Sequence, residues 1–183
     1  MPGFIIHIAV GKEYIKKHEN EIKDVDEFIK GIVAPDLISI LNKEINKSIT
    51  HYGKWSDKDS MKNLDTFLED NKVDISKDYW KGYFIHLITD YYFYLESFKD
   101  ETLEIKKNND SFYYDYDCLN KSLIKIYNID NIKDENVSKC IKYINDMPKY
   151  LKEEKVIQFI AKLSDISVAD QIELIRKKNK KVL

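Results

Sequence analysis

The chain has 183 residues, 43% of them apolar, and no Pro/Gly/Ser-rich linker interrupts it, which predicts a single domain with a substantial core. Thirty basic and 32 acidic residues are well mixed and give a formal charge of -2, so there is no global field to draw in nucleic acid or a membrane surface. Arg176 is the only arginine, so the bidentate fork suited to phosphate and guanine recognition is nearly absent, and no stable nucleic-acid complex is expected.

Helical periodicity dominates, and no sustained alternation suggests a sheet; the expected fold class is all-α, a single-domain helical bundle. A first helix is expected over about Gly3 to His18. A second follows over about Val25 to Val33, with Asp24 as N-cap and Pro35 as terminator. Asp36 reads as the cap of a short helix through Leu41. Beyond it Asn42, Asn46, Ser48, Gly53 and Ser56 suggest a loop-rich passage, the kind of segment in which site residues often lie. Asp59 to Asn71 makes a third helix with Leu64, Phe67 and Leu68 inward. The central helix runs from about Ser76, a good cap, to Phe98, and its apolar residues surround the whole circumference, as in a helix packed on several sides. After a polar break at Asn108, Asn109 and Asp110 come helices near Tyr116 to Tyr127, Glu135 to Asn145, Lys152 to Leu163 and Val168 to Lys178. The basic tail of Arg176, Lys177, Lys178, Lys180 and Lys181 suits a solvated helix C-terminus. Residues 1–183 thus read as one helical domain, with the chemistry in 1–100 and supporting helices in 110–183.

Cys118 and Cys140 are too few for a disulfide framework, form no Cys-x-x-Cys pair and read as core thiols. The first residues lack a basic region ahead of the apolar run, and no stretch approaches the roughly 20 apolar residues that span a bilayer. A cytoplasmic protein without a membrane span is the expectation.

The most informative feature is His86 and Asp90 in the run Gly82-Tyr83-Phe84-Ile85-His86-Leu87-Ile88-Thr89-Asp90. Residues four apart share one helix face, about 6 Å apart at Cβ. Burying an imidazole and a carboxylate among aromatic rings is costly unless a partner satisfies them, and a metal ion is one such partner. His7 and His51 also sit where the apolar pattern is strong, as does Asp36 in Ile32-Val33-Ala34-Pro35-Asp36-Leu37, whereas His18 lies among charged residues and reads as surface. Each has a structural alternative: a core histidine bonded to a carbonyl, a helix cap at Asp36, an Asp90 paired with His86 or a phenol. Gly82, one turn before His86, is expected to leave room for an ion or substrate.

The order His7, Pro35-Asp36, His51-Tyr52-Gly53 and Gly82 through Asp90 resembles the zinc-dependent phospholipase C family and the single-strand nucleases that share its helical fold. The match covers roughly the first hundred residues. The resemblance implies that Asp36, His51, His86 and Asp90 ligate one metal ion, and that His7 shares a second with a bridging Asp90. It implies zinc, as one or two ions, and the same donors also suit iron or manganese. Asp36 is the residue expected to orient or deprotonate the attacking water. Relatives with three zinc ions add two further His and a Glu downstream, and some use an N-terminal Trp. Here no His follows residue 86 and the sequence begins Met1-Pro2, so a trinuclear site is not expected.

Asp115 and Asp117 read either as further acidic site residues or as the start of a helix, with Asn120 compatible with both. Of the eight aromatics between Tyr79 and Tyr94 most are expected in the core, with Tyr83 and Tyr94 as walls of the site. The function implied is metal-dependent hydrolysis of a phosphoester, on a small molecule or a lipid. The alternative is a helical interaction or scaffold protein that retains a structural ion without turnover. An HD-type phosphohydrolase, also helical, lacks support because no adjacent His-Asp dyad occurs.

Overall fold

The computed structural model describes residues 2–53, 60–70, 72–129 and 132–180; Ser56, Asp59, Asn71 and Lys181 of the sequence reading lie outside them. Every regular element among the described residues is helical. In chain order these are α1 (Phe4–Lys17), α2 (Val25–Leu41), α3 (Lys47–Thr50), α4 (Ser60–Glu69) and α5 (Asp78–Tyr92). A π-helical turn over Phe93–Ser97 leads into α6 (Lys99–Asn108), followed by α7 (Tyr113–Ile126), α8 (Glu135–Cys140), α9 (Glu153–Leu163) and α10 (Val168–Lys180). No helix among the described residues is long and apolar enough to cross a membrane.

The second helix corrects the sequence reading. Asp24 caps it as expected, its side chain accepting from Glu27 N–H, but Pro35 does not end it. The helix runs on to Leu41, so Asp36 is not a cap and lies inside α2, in the same turn as the proline. Proline removes one helical N–H and crowds the carbonyls of the turn before it. The carbonyl of Ile32, three residues before the proline, accepts a bond from the His86 ring. An apolar run buried over Ile32, Val33, Ala34 and Leu37 holds the helix together across the defect.

Helices α2 and α5 make the principal packing pair, and two glycines set how closely they approach. A Cβ on Gly31 would overlap the carbonyl oxygen of Tyr79, and one on Gly82 would overlap that of Phe28. The space beside Gly82 is therefore filled by the backbone of α2, not left for an ion or substrate as the sequence suggested. This close crossing brings α5 onto α2 one turn before His86.

The long central helix expected to Phe98 is α5 followed by the π turn, in which Phe98 N–H reaches the Phe93 carbonyl at 2.9 Å. The extra residue per turn rotates Phe93 and Phe98 inward, where they pack with Phe112 and Phe159. Ser76 lies just outside, Lys77 being the cap residue. Helix α6 was not expected from the pattern, because its polar stretch Lys99–Asn108 buries only Thr102 and Ile105. Conversely, α8 stops at Cys140, short of Asn145. The following segment is tied to α7 instead: Ile144 N–H donates to the Asp117 carbonyl and the Asn120 amide to the Lys142 carbonyl. Neither cysteine is in the core; both are free, Cys118 half-buried and Cys140 exposed. Helices α7 and α9 pack on α1 and α10 packs on α4, so the C-terminal half supports the N-terminal one.

Candidate metal centre

His7 on α1, Asp36 on α2, His51 at the C-cap of α3, and His86 and Asp90 on α5 meet in one buried cluster. Four elements thus converge, and local bonds fix the rings of His51 and His86. His86 Nδ1 lies 2.7 Å from the Ile32 carbonyl, and His51 Nδ1 lies 2.8 Å from the Lys47 carbonyl. A carbonyl only accepts, so Nδ1 of both rings carries the hydrogen and both Nε2 lone pairs point inward. These two Nε2 atoms are 3.2 Å apart.

Carboxylates complete the arrangement. Asp90 Oδ2 is 3.4 Å from His51 Nε2 and 3.8 Å from His86 Nε2, and Asp36 Oδ1 is 3.6 Å from His51 Nε2. The other oxygen of Asp90, Oδ1, faces His7 Nε2 at 3.5 Å. The His7 and His86 rings stack, with centroids 3.8 Å apart and planes 8° from parallel.

Electrostatics leave this cluster without internal cement. Burial depresses the imidazole pKa of His7 to about 3 and those of His51 and His86 to about 4, the carboxylates opposing only in part. All three rings are therefore neutral near pH 7, and no proton sits between His51 and His86. Burial likewise pushes the Asp90 carboxyl up, against the pull of His86 and His51. For Asp36 burial also pushes upward, but His86, Lys47, His7 and His51 outweigh it and hold the carboxyl at about 2. His7 Nδ1 and Nε2, Asp36 Oδ1 and both oxygens of Asp90 are buried with no hydrogen-bond partner among the described residues. Orphaned atoms of this kind cost about 1–3 kcal/mol each. A neutral imidazole keeps one N–H, so one His7 nitrogen is a Lewis base; with the three carboxylate oxygens and the Nε2 lone pairs of His51 and His86 it makes a donor set that fits a cation.

The spacing agrees with that reading. Zinc bonds of about 2.0–2.1 Å to nitrogen and oxygen make the edge of a coordination tetrahedron about 3.3 Å long. Two groupings have donor atoms close enough for an ion, Asp36 with His51 and His86, and His7 with His86 and Asp90. Asp90, with one oxygen toward each, stands where a bridging carboxylate belongs.

No protein-family model, curated protein or solved structure matches the chain.

The additional residues named from sequence lie elsewhere or act indirectly. Asp115 lies in the first turn of α7, as the helix-start reading had it, and does not join the cluster: fully buried, its carboxylate accepts from the backbone N–H groups of Lys149, Tyr150 and Leu151 at 2.7–2.9 Å. Asp117 is part-buried, with Lys142 as the charge acting on its carboxyl. Tyr83 is a support, donating its hydroxyl to the Thr50 carbonyl beside His51 while its ring stacks on Phe67. Tyr94 packs on Phe93 and Phe112. His18 stays apart, bonded to Glu21 and the Ser164 carbonyl.

Two residues were missed. Tyr116 has a buried hydroxyl without a partner among the described residues, and after burial itself the charge of Asp90 is the leading influence keeping its phenol protonated. Its signal was the buried stripe Tyr116, Leu119, Asn120 and Leu123 on α7, which reads as core. Lys47 places Nζ 3.2 Å from Asp36 Oδ1, and its only sequence mark is lying one helical turn before His51.

Proposed function

We propose that His7, Asp36, His51, His86 and Asp90 hold one or two divalent metal ions, zinc foremost, with iron or manganese suited to the same donors. The centre so formed is a phosphoester hydrolase, akin in site and helical plan to the phospholipase C and nuclease lineage that the residue order resembles. One observation carries the metal assignment: the Nε2 lone pairs of His51 and His86 face each other at 3.2 Å with no proton between them, beside buried Asp36 and Asp90 carboxylate oxygens that have no hydrogen-bond partner among the described residues.

A bound divalent cation supplies acidification of water and stabilisation of charge on phosphoryl oxygens. The chain's own groups set the conditions for this. The Ile32 and Lys47 carbonyls fix the tautomers of His86 and His51, as partners behind metal-binding imidazoles commonly do. Asp36, with Oδ1 3.6 Å from His51 Nε2, is placed to ligate the ion and to orient or deprotonate its water. Asp90 spans the two groupings. Helices α1, α2 and α5 exclude bulk water from His7, His86 and Asp90.

The second reading is a structural ion in a helical interaction protein. Burial of all five side chains favours it, because closed shells are typical of structural sites. An apolar groove of about 650 Å³, lined by Ile8, Ile29, Val33, Leu37 and Ile132 among others, is bordered by none of the five. Against it stands Lys47, a half-exposed cation at Asp36 that marks a side of the cluster reaching solvent.

The test is hydrolysis of an activated aryl phosphodiester and phosphomonoester by zinc-reconstituted protein. Metal-dependent turnover that disappears in Asp90→Ala supports the hydrolase. Stoichiometric metal without turnover supports the structural ion.

A further inference from the structure

We propose that Lys47 is the substrate-binding residue of the centre, receiving an anionic oxygen of the phosphoryl group; this rests on the hydrolase reading above. The five proposed ligands are buried, whereas the Lys47 side chain is 45% exposed and its Nζ lies 3.2 Å from Asp36 Oδ1, whose side chain is only 7% exposed. Lys47 therefore stands where the cluster meets solvent, the side from which a substrate arrives.

Its ammonium is close to Asp36 but uncommitted. Lys47 Nζ donates no hydrogen bond among the described residues, and Asp36 Oδ1 accepts none, so the pair is a charge contact with three N–H donors unspent. Once a cation shares Asp36, the carboxylate's charge is taken up and the ammonium is repelled from the ion. The favourable response of a flexible, half-exposed lysine is to turn its donors to an anion bound at that ion. A phosphoryl group has oxygens for both partners, one toward the metal and one outward to the ammonium.

The backbone of Lys47 has a separate task. Its carbonyl accepts from His51 Nδ1, and Asn46 caps α3 by accepting from Ser48 and Ile49 N–H, so the position of this turn does not depend on the Lys47 side chain. A substitution at Lys47 removes the ammonium and leaves the carbonyl that orients His51.

The experiment is calorimetric titration of inorganic phosphate into zinc-loaded wild type, Lys47→Gln and Lys47→Arg, with bound zinc measured in each. The expected result is phosphate affinity about tenfold weaker in Lys47→Gln and within about threefold of wild type in Lys47→Arg. Zinc is retained by both, and Lys47→Gln binds it at least as tightly as wild type, because a competing positive charge beside Asp36 is gone. Unchanged phosphate affinity in Lys47→Gln overturns the assignment of Lys47 while leaving the metal centre intact. Loss of zinc from Lys47→Gln overturns it too, by making the side chain a support for the ligands. Failure of the wild type to take up zinc removes the hydrolase reading and this assignment together.

Discussion

Gly82 lies directly against the backbone of Phe28, so that any side chain there would overlap the Phe28 carbonyl and come within 3.0 Å of Ile32 N. The same contact lets the Ile32 carbonyl reach His86 Nδ1 one turn further along α5. Gly82→Ala must push the two helices apart, since backbone, unlike a flexible side chain, has no rotamer in which to retreat. A destabilisation of about 3 kcal/mol or more is expected, larger than ordinary overpacking. Thermal melts should show a clear drop in Tm, and metal content should fall with it. An unchanged Tm would mean that the α2 and α5 crossing is looser than described.

Asp115 provides the contrasting case, a buried carboxylate with a structural task. Three backbone N–H groups of residues 149–151 converge on it. Asp115→Asn replaces one acceptor oxygen with a donor facing those groups, at a cost of about 2–4 kcal/mol. Denaturant unfolding should register the loss while bound metal per folded chain stays the same. If metal were lost selectively from folded protein, Asp115 would belong to the centre after all.

The acid response of the metal-free protein follows from the depressed imidazoles. In the unfolded chain they take up protons near pH 6.5, whereas in the fold His7 resists until about 3 and His51 and His86 until about 4. The unfolded state therefore binds more protons between these limits, and stability falls as pH is lowered through this window. Each ring that is protonated in the unfolded chain but neutral in the fold contributes about 1.4 kcal/mol per pH unit to that fall. Asp90 works in the opposite sense, since its raised carboxyl makes protonation easier in the fold, and it offsets part of the loss. Unfolding free energies measured from pH 7 to pH 4 should decline, and less steeply in His7→Phe. A flat profile would contradict the burial of these rings in neutral form.

How much of this was legible in sequence divides along physical lines. The all-helical class and the buried face of α5 followed from periodicity, and His7, Asp36, His51, His86 and Asp90 stood out as polar residues in apolar surroundings. Pro35 misled, because propensity ends a helix there whereas tertiary packing of Ile32 through Leu37 carries α2 past it. Gly82 was noticed for the right reason, smallness, but assigned the wrong neighbour; only the crossing partner shows that backbone fills the gap. Helix α6 was hidden by its polarity, and the π turn by its lack of any residue signature. Lys47 was invisible because its importance lies in a through-space pairing with Asp36, eleven positions away.

The central claim is that a metal ion joins these side chains, and elemental analysis of protein purified and then equilibrated with zinc tests it most directly. At least one zinc per chain is expected in wild type, with near-complete loss in both His86→Ala and Asp90→Ala. Zinc at about 1,000 times its Kd should also raise stability by about 4 kcal/mol. A wild-type protein that holds no zinc, iron or manganese, or variants that keep a full complement, would contradict the account.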